Sequence, residues 1–118
     1  MIVLVTGGRN FSDRDKFNDV MDSLHFAQPF EAVIHGAASG ADTLANLWAF
    51  ERGVQPVACP ALWDYHGKPA GAKRNRAMLL LRPDLVIAFP GGKGTNDMVA
   101  AARDALFRIA DYRHLDLV

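Results

Sequence analysis

The sequence predicts a doubly wound α/β domain, on three observations. Short apolar runs rich in branched residues alternate with stretches whose apolar positions recur at helical spacing. The alternation is β-α repeated, closing on a strand, which implies a parallel sheet with helices on both faces. Glycine-rich segments follow the first, second and fourth strand-like runs. Right-handed crossovers then favour a Rossmann-like sheet of about five strands in order 3-2-1-4-5, the winding reversing between strands 1 and 4.

Each element has its own signal. Ile2 to Val5 is a buried-strand run that ends in Thr6-Gly7-Gly8. Phe17, Val20, Met21 and Leu24 mark a helix, with Ser12 and Asp13 as cap and first-turn acid and Pro29 beyond its end. Ala32-Val33-Ile34 is the second strand, running into His35-Gly36. Ser39-Gly40-Ala41-Asp42 opens a second helix carrying Leu44, Leu47 and Trp48, which Gly53 stops. Val54 to Ala58 is a third strand. Cys59 to Gly71 has no period and reads as a long loop of the kind that is usually functional or disordered. Ala72 to Leu81 is a third helix, ended by Arg82-Pro83. Leu85 to Phe89 is the fourth strand, and Pro90 to Thr95 another glycine loop. The last helix carries Val99, Ala102, Leu106 and Ile109, and His114 to Val118 is expected to add a fifth strand.

The 118 residues suffice for one domain, 1–118, and half of them are hydrophobic, enough for a packed core. The formal net charge is zero, which argues against a protein whose main task is to grip long nucleic acid. A single cysteine, Cys59, cannot form an internal disulfide, so a reducing, cytoplasmic setting is expected. No apolar run is long enough for a membrane span and no signal-peptide pattern opens the chain. The sparse His and Cys spacing offers no metal site. Leu79, Leu80 and Leu81 cannot all face one core, so a homodimer that buries some of them is expected.

In a doubly wound sheet the ligand sits beyond the carboxyl ends of the strands, at the switch point. The loops at that edge carry Gly7, Gly8 and Arg9; Gly36, Ser39 and Gly40; and Gly91, Gly92, Lys93, Gly94 and Thr95. Glycine lets a ligand approach the backbone amides, and a helix start adds free N–H groups and a positive dipole end. Phosphate is the natural guest, with Arg9, Lys93 and Arg74 as charge partners. Ser39 and Asp42 can equally form a capping box, and Thr95 can be a plain N-cap. Trp63 and Tyr65 are either a lid that stacks on a base or packing for their own loop. His35 reads as a structural hydrogen-bonder. Neither the dinucleotide Gly-x-Gly-x-x-Gly fingerprint nor a Walker A sequence is present, which disfavours an ordinary dehydrogenase or ATPase.

Val5-Thr6-Gly7-Gly8-Arg9, His35 to Asp42, Lys73-Arg74-Asn75-x-x-Met78 and Ala88 to Thr95 together resemble the SLOG superfamily. That group includes the LOG cytokinin-activating enzymes, DprA and YpsA-like proteins, and the small stand-alone YpsA-related proteins are the nearest branch. The resemblance spans Ile2 to about Ile109. It implies a nucleotide-like ligand, a nucleoside monophosphate or an ADP-ribose-like molecule, and no added cofactor. Gly7, Gly8, Arg9, Gly36, Ser39, Gly40, Asn75 and the 91–95 loop would be its contacts. The LOG likeness implies N-glycosidic hydrolysis of nucleoside 5′-monophosphates, with Arg74, four residues before Met78, matching the family's arginine. The family's catalytic glutamate position holds Met98. Asp97, one residue early and about 100° around the helix, Asp42 and Asp64 are the acids left to substitute. The DprA likeness implies single-stranded DNA as an alternative partner, against which the missing basic excess speaks.

Overall fold

The computed structural model describes residues 1–114. Its elements are β1 (Ile2–Thr6), α1 (Arg14–Ala27), β2 (Ala32–His35), α2 (Ala41–Arg52), β3 (Gln55–Ala58), α3 (Trp63–His66), α4 (Ala70–Leu80), β4 (Leu85–Ala88), α5 (Lys93–Asp104) and β5 (Ile109–Asp111). The five strands form one parallel sheet in the order β3-β2-β1-β4-β5, as the sequence predicts.

Alternation along each strand separates two cores. Val3, Val5, Val33, Leu85 and Ile87 face α1 and α2, packing with Phe17, Met21 and Trp48. Leu4, Ile34 and Val86 face the other way, with Met78 and Leu79 of α4 and Met98 and Ala102 of α5. The β1–β4 junction continues past the strand ends. Phe89 N–H donates to Thr6 O at 2.9 Å and Gly8 N–H to Pro90 O at 2.8 Å. Loops that would otherwise be independent turns are thereby tied together at the switch point.

Several local readings change. The α1 cap is Asp13, not Ser12; its carboxylate accepts the Lys16 N–H at 3.1 Å. The segment read as a loop from Cys59 to Gly71 contains α3, and α4 starts two residues before Ala72. Leu79 is buried whereas Leu80 and Leu81 are exposed.

The largest correction concerns the C-terminal part. The last helix stops at Asp104, and Ile109 belongs to β5, not to the helix. Leu106 takes a left-handed φ of 63°. Phe107 N–H reaches back to Ala102 O and Leu106 N–H to Arg103 O, which is a Schellman stop. Glycine usually occupies that left-handed position; here leucine does, so the sequence carried no stop signal. His114 is in a turn and does not begin a strand, and the remainder of the predicted 114–118 strand lies outside the described residues.

Candidate phosphate site at the switch edge

The glycines divide into two groups. Five are filled by the chain itself. A Cβ on Gly7 would lie 2.5 Å from Ala41 Cβ, so that glycine sets how closely α2 packs on β1. Gly8 abuts Pro90 O and Gly91 Cα, both at 3.0 Å. Gly40 has φ +72° and lies against the Gly8 carbonyl and the Arg9 backbone. Gly91 is enclosed by Gly8 N, at 2.7 Å, and the Thr95 side chain. Gly36 carries the Arg74 guanidinium, whose Cζ lies 2.6 Å from its ideal Cβ position. Gly92 and Gly94 are different, because an added Cβ meets nothing within 4 Å at either. Of the seven glycines in the loops after β1, β2 and β4, only those two present open backbone to a ligand.

The helix starts divide in the same way. The first amide of α2, Ala41 N–H, is taken by Gly8 O at 3.1 Å, and Asp42 accepts Ala38 N–H at 3.2 Å. Ser39 makes no cap; its hydroxyl donates to Arg9 O. The first amide of α2 is thus used internally. The α5 start is not. Gly92 is its N-cap, with no side-chain capping bond, and Thr95 sits one turn in and buried, so Thr95 is not the cap. The first bond within α5 is Asn96 N–H to Gly92 O, 3.0 Å. The amides of Lys93, Gly94 and Thr95 are left without a helical acceptor. The α4 start is likewise uncapped by any side chain.

These features open into a cavity of about 560 Å³. Most of the expected contacts reach it: Gly7, Gly8, Arg9, Asp42, Arg74, Asn75, Gly92, Lys93, Gly94, Thr95, Asp97 and Trp63. Gly36 and Ser39 line an adjoining cavity of about 290 Å³. Gly40 and Gly91 line neither, serving the packing of the loops on one another. Tyr65 also lines neither; it is exposed and packs edge-on against His66. Lys68, Gly71 and Ala72 line the large cavity without having been singled out in the sequence. Their segment reads as aperiodic loop, and only the α4 start brings it to the sheet edge.

Asn75 organises the floor. It is buried and spans two helices, its Nδ2 donating to Gly94 O at 3.2 Å and to Asp97 Oδ2 at 3.1 Å. Its Oδ1 accepts Arg74 Nε–H at 3.1 Å. Arg74 also donates to Gly36 O, and burial holds its guanidinium below the usual value. Asp97 is further paired with Arg76 at 3.2 Å. Arg9 lies over Trp63, 5.6 Å from the ring centre. Among the described residues, Arg9, Lys68 and Lys93 make no ion pair. His35 is buried as expected of a structural residue. Ala37 N–H donates to its Nδ1 at 3.0 Å, so its Nε2 carries the proton toward Asn46 Oδ1.

Asp42 is a buried carboxyl. Burial pushes its carboxyl above the ordinary 3.8, against the opposing pull of Ala38 N–H and Arg74. Because the folded value exceeds the unfolded one, the folded state binds the proton more tightly. Stability is therefore full below the ordinary carboxylate range and falls as pH rises through the raised value. Asp42→Asn keeps an acceptor for Ala38 and cannot ionise, so its Tm should exceed the parent's near pH 7. The gap should close on acidification below pH about 4. Melting curves across pH 3 to 8 check this; a constant gap would mean that ionisation is not the cause.

Met98, at the position where LOG-type enzymes carry their glutamate, is fully buried in the apolar core beneath the cavity.

Comparison with known proteins agrees with this architecture. Residues 1–66 match the family model described as the YspA, cpYpsA-related SLOG family. The Gene 61 protein of Mycobacterium phage D29 is 39% identical over 111 residues, covering 87% of this chain and 89% of that relative. The X-ray structure of DNA processing protein A (DprA) from Streptococcus pneumoniae superposes with a TM-score of 0.77 at 20% identity. The superposition covers 92% of this chain and 49% of DprA, so the chain spans about half of that protein, and at this identity the likeness is one of fold. No helix among the described residues is long and apolar enough to cross a membrane. By the family match, the chain belongs to the YspA, cpYpsA-related SLOG family.

Proposed function

We propose that this protein binds a nucleotide or nucleotide-derived phosphate ligand at the switch edge, as a sensor or processor of such molecules. The observation that carries the reading is the α5 start. Three free amides, two open glycines and the Lys93 side chain meet at the mouth of a cavity large enough for a small ligand. Arg9, Lys68 and Arg74 add positive charge around the same space. The charge is concave and local, on a chain of zero formal net charge, which suits a small anion better than a long strand.

Titration calorimetry with AMP, adenosine and inorganic phosphate tests it. AMP should bind at least tenfold tighter than adenosine, equivalent to about 1.4 kcal/mol, and the difference should shrink with added salt. Equal affinity for AMP and adenosine would place the recognition elsewhere, and no binding by any phosphate compound would end the reading.

A hydrolytic reading stays attached to one observation. Asp42, whose carboxyl burial raises above the ordinary 3.8, lines the same cavity as Arg74 and is the candidate for proton transfer. Free adenine and ribose 5-phosphate after incubation with AMP, lost in Asp42→Asn, would make it an enzyme. Intact AMP would leave a binding protein.

A further inference from the structure

Asn75 lines the large cavity but has no hydrogen left to give a ligand there. It is 4% exposed, on α4. Both N–H groups of its amide are committed to α5, at Gly94 O and Asp97 Oδ2. Its Oδ1 accepts Arg74 Nε–H. These partners fix which way the amide faces, since Gly94 O and the Asp97 carboxylate only accept and Arg74 only donates. An ionised phosphate takes hydrogen bonds and returns none, so Asn75 is chemically unsuited to touch one.

What Asn75 holds is better suited. The Gly94 carbonyl and the Thr95 N–H belong to one planar peptide unit. Anchoring Gly94 O therefore fixes the direction of Thr95 N–H, one of the α5 amides without a helical acceptor. The same side chain holds Arg74 at Nε, while Gly36 O takes Arg74 Nη1. The guanidinium is gripped on two sides, and its remaining N–H groups are available to the cavity that it lines. Asp97 is pinned in turn by Arg76. A chain of hydrogen bonds thus runs from Arg76 through Asp97, Asn75 and Arg74 to Gly36, tying α5 and α4 to the loop after β2.

Resting on the phosphate-site reading above, we propose that Asn75 is a positioning residue, which sets the Arg74 guanidinium and the α5 amides in one arrangement for the phosphate without touching it. The two groups come from separate helices, and the Asn75 amide is the side chain bonded to both. Donors set in advance spare the ligand the cost of ordering them.

Calorimetry on the full chain with AMP and adenosine tests this, the ratio of the two affinities reading the phosphate's share. Asn75→Ala should lower that ratio about tenfold. Asn75→Asp keeps the size and the acceptor for Arg74 but loses both donors to α5; it should lower the ratio too, and it serves if Asn75→Ala fails to fold. Arg74→Ala should also lower the ratio. Added to Arg74→Ala, either Asn75 variant should cost clearly less than it costs alone, because part of what Asn75 positions is already gone. Equal losses for AMP and adenosine, or full additivity with Arg74→Ala, would make Asn75 a packing residue and overturn the proposal while the phosphate site stands. If the parent chain binds no phosphate compound, the phosphate-site reading falls and this one with it.

Discussion

Gly40→Ala should lose about 3–5 kcal/mol of folding free energy, enough to unfold a marginally stable domain. Two costs combine. The φ of +72° with ψ −125° lies where only glycine is comfortable, at about 1–3 kcal/mol for another residue. A methyl group there also runs into the Gly8 carbonyl and the Arg9 backbone, at 2.5 Å from Arg9 C, and overpacking adds about 1–3 kcal/mol. Neither obstacle is a flexible side chain that can swing aside. Gly53→Ala is the matched control. Its φ is +68° but nothing lies within 4 Å, so it should cost only about 1 kcal/mol. Urea denaturation of the two variants separates sterics from conformation. A similar small loss in both would show that the Gly8–Gly40 contact yields easily.

Gly92→Val should do the opposite, keeping the fold and losing the ligand. Its φ of −111° is not left-handed, and an added Cβ meets no protein atom within 4 Å. The stability change should stay within about 1 kcal/mol, the size of an N-cap exchange. The valine would cover the amides of Lys93 and Gly94. Losing two charge-assisted hydrogen bonds at about 1.5 kcal/mol each lowers affinity by roughly 100-fold. Calorimetry with AMP, alongside an unchanged melting curve, measures both halves. Retained affinity would place the phosphate away from α5.

The contrast between these two glycines shows where sequence reasoning reaches its limit. Strand order was legible because apolar runs and glycine loops occur in a βα rhythm that few topologies satisfy. The site's location followed from that order. The role of each glycine did not, since a residue without a side chain carries no mark of what fills the space beside it. Gly40 and Gly92 look alike in sequence, yet one is packed by backbone and the other faces a cavity. The C-terminal strand was misplaced for a related reason. Leu106 continues an apolar helical period while its backbone ends the helix. Lys68, in the short α3–α4 turn, and Gly71, in the first turn of α4, line the cavity from a stretch with no periodic signal of its own.

Met98 also bears on how this chain could change over evolutionary time. It is fully buried in an apolar cluster with Leu4, Ile34, Met78, Val86 and Ala102. A glutamate arriving there by mutation would be either an unpaired buried charge or a neutral acid lacking its partners, each destabilising by several kcal/mol. The route from this scaffold to a glutamate-dependent hydrolase therefore crosses a foldability barrier at its first step. Compensating polar residues would have to come first, in a core that now gains nothing from them.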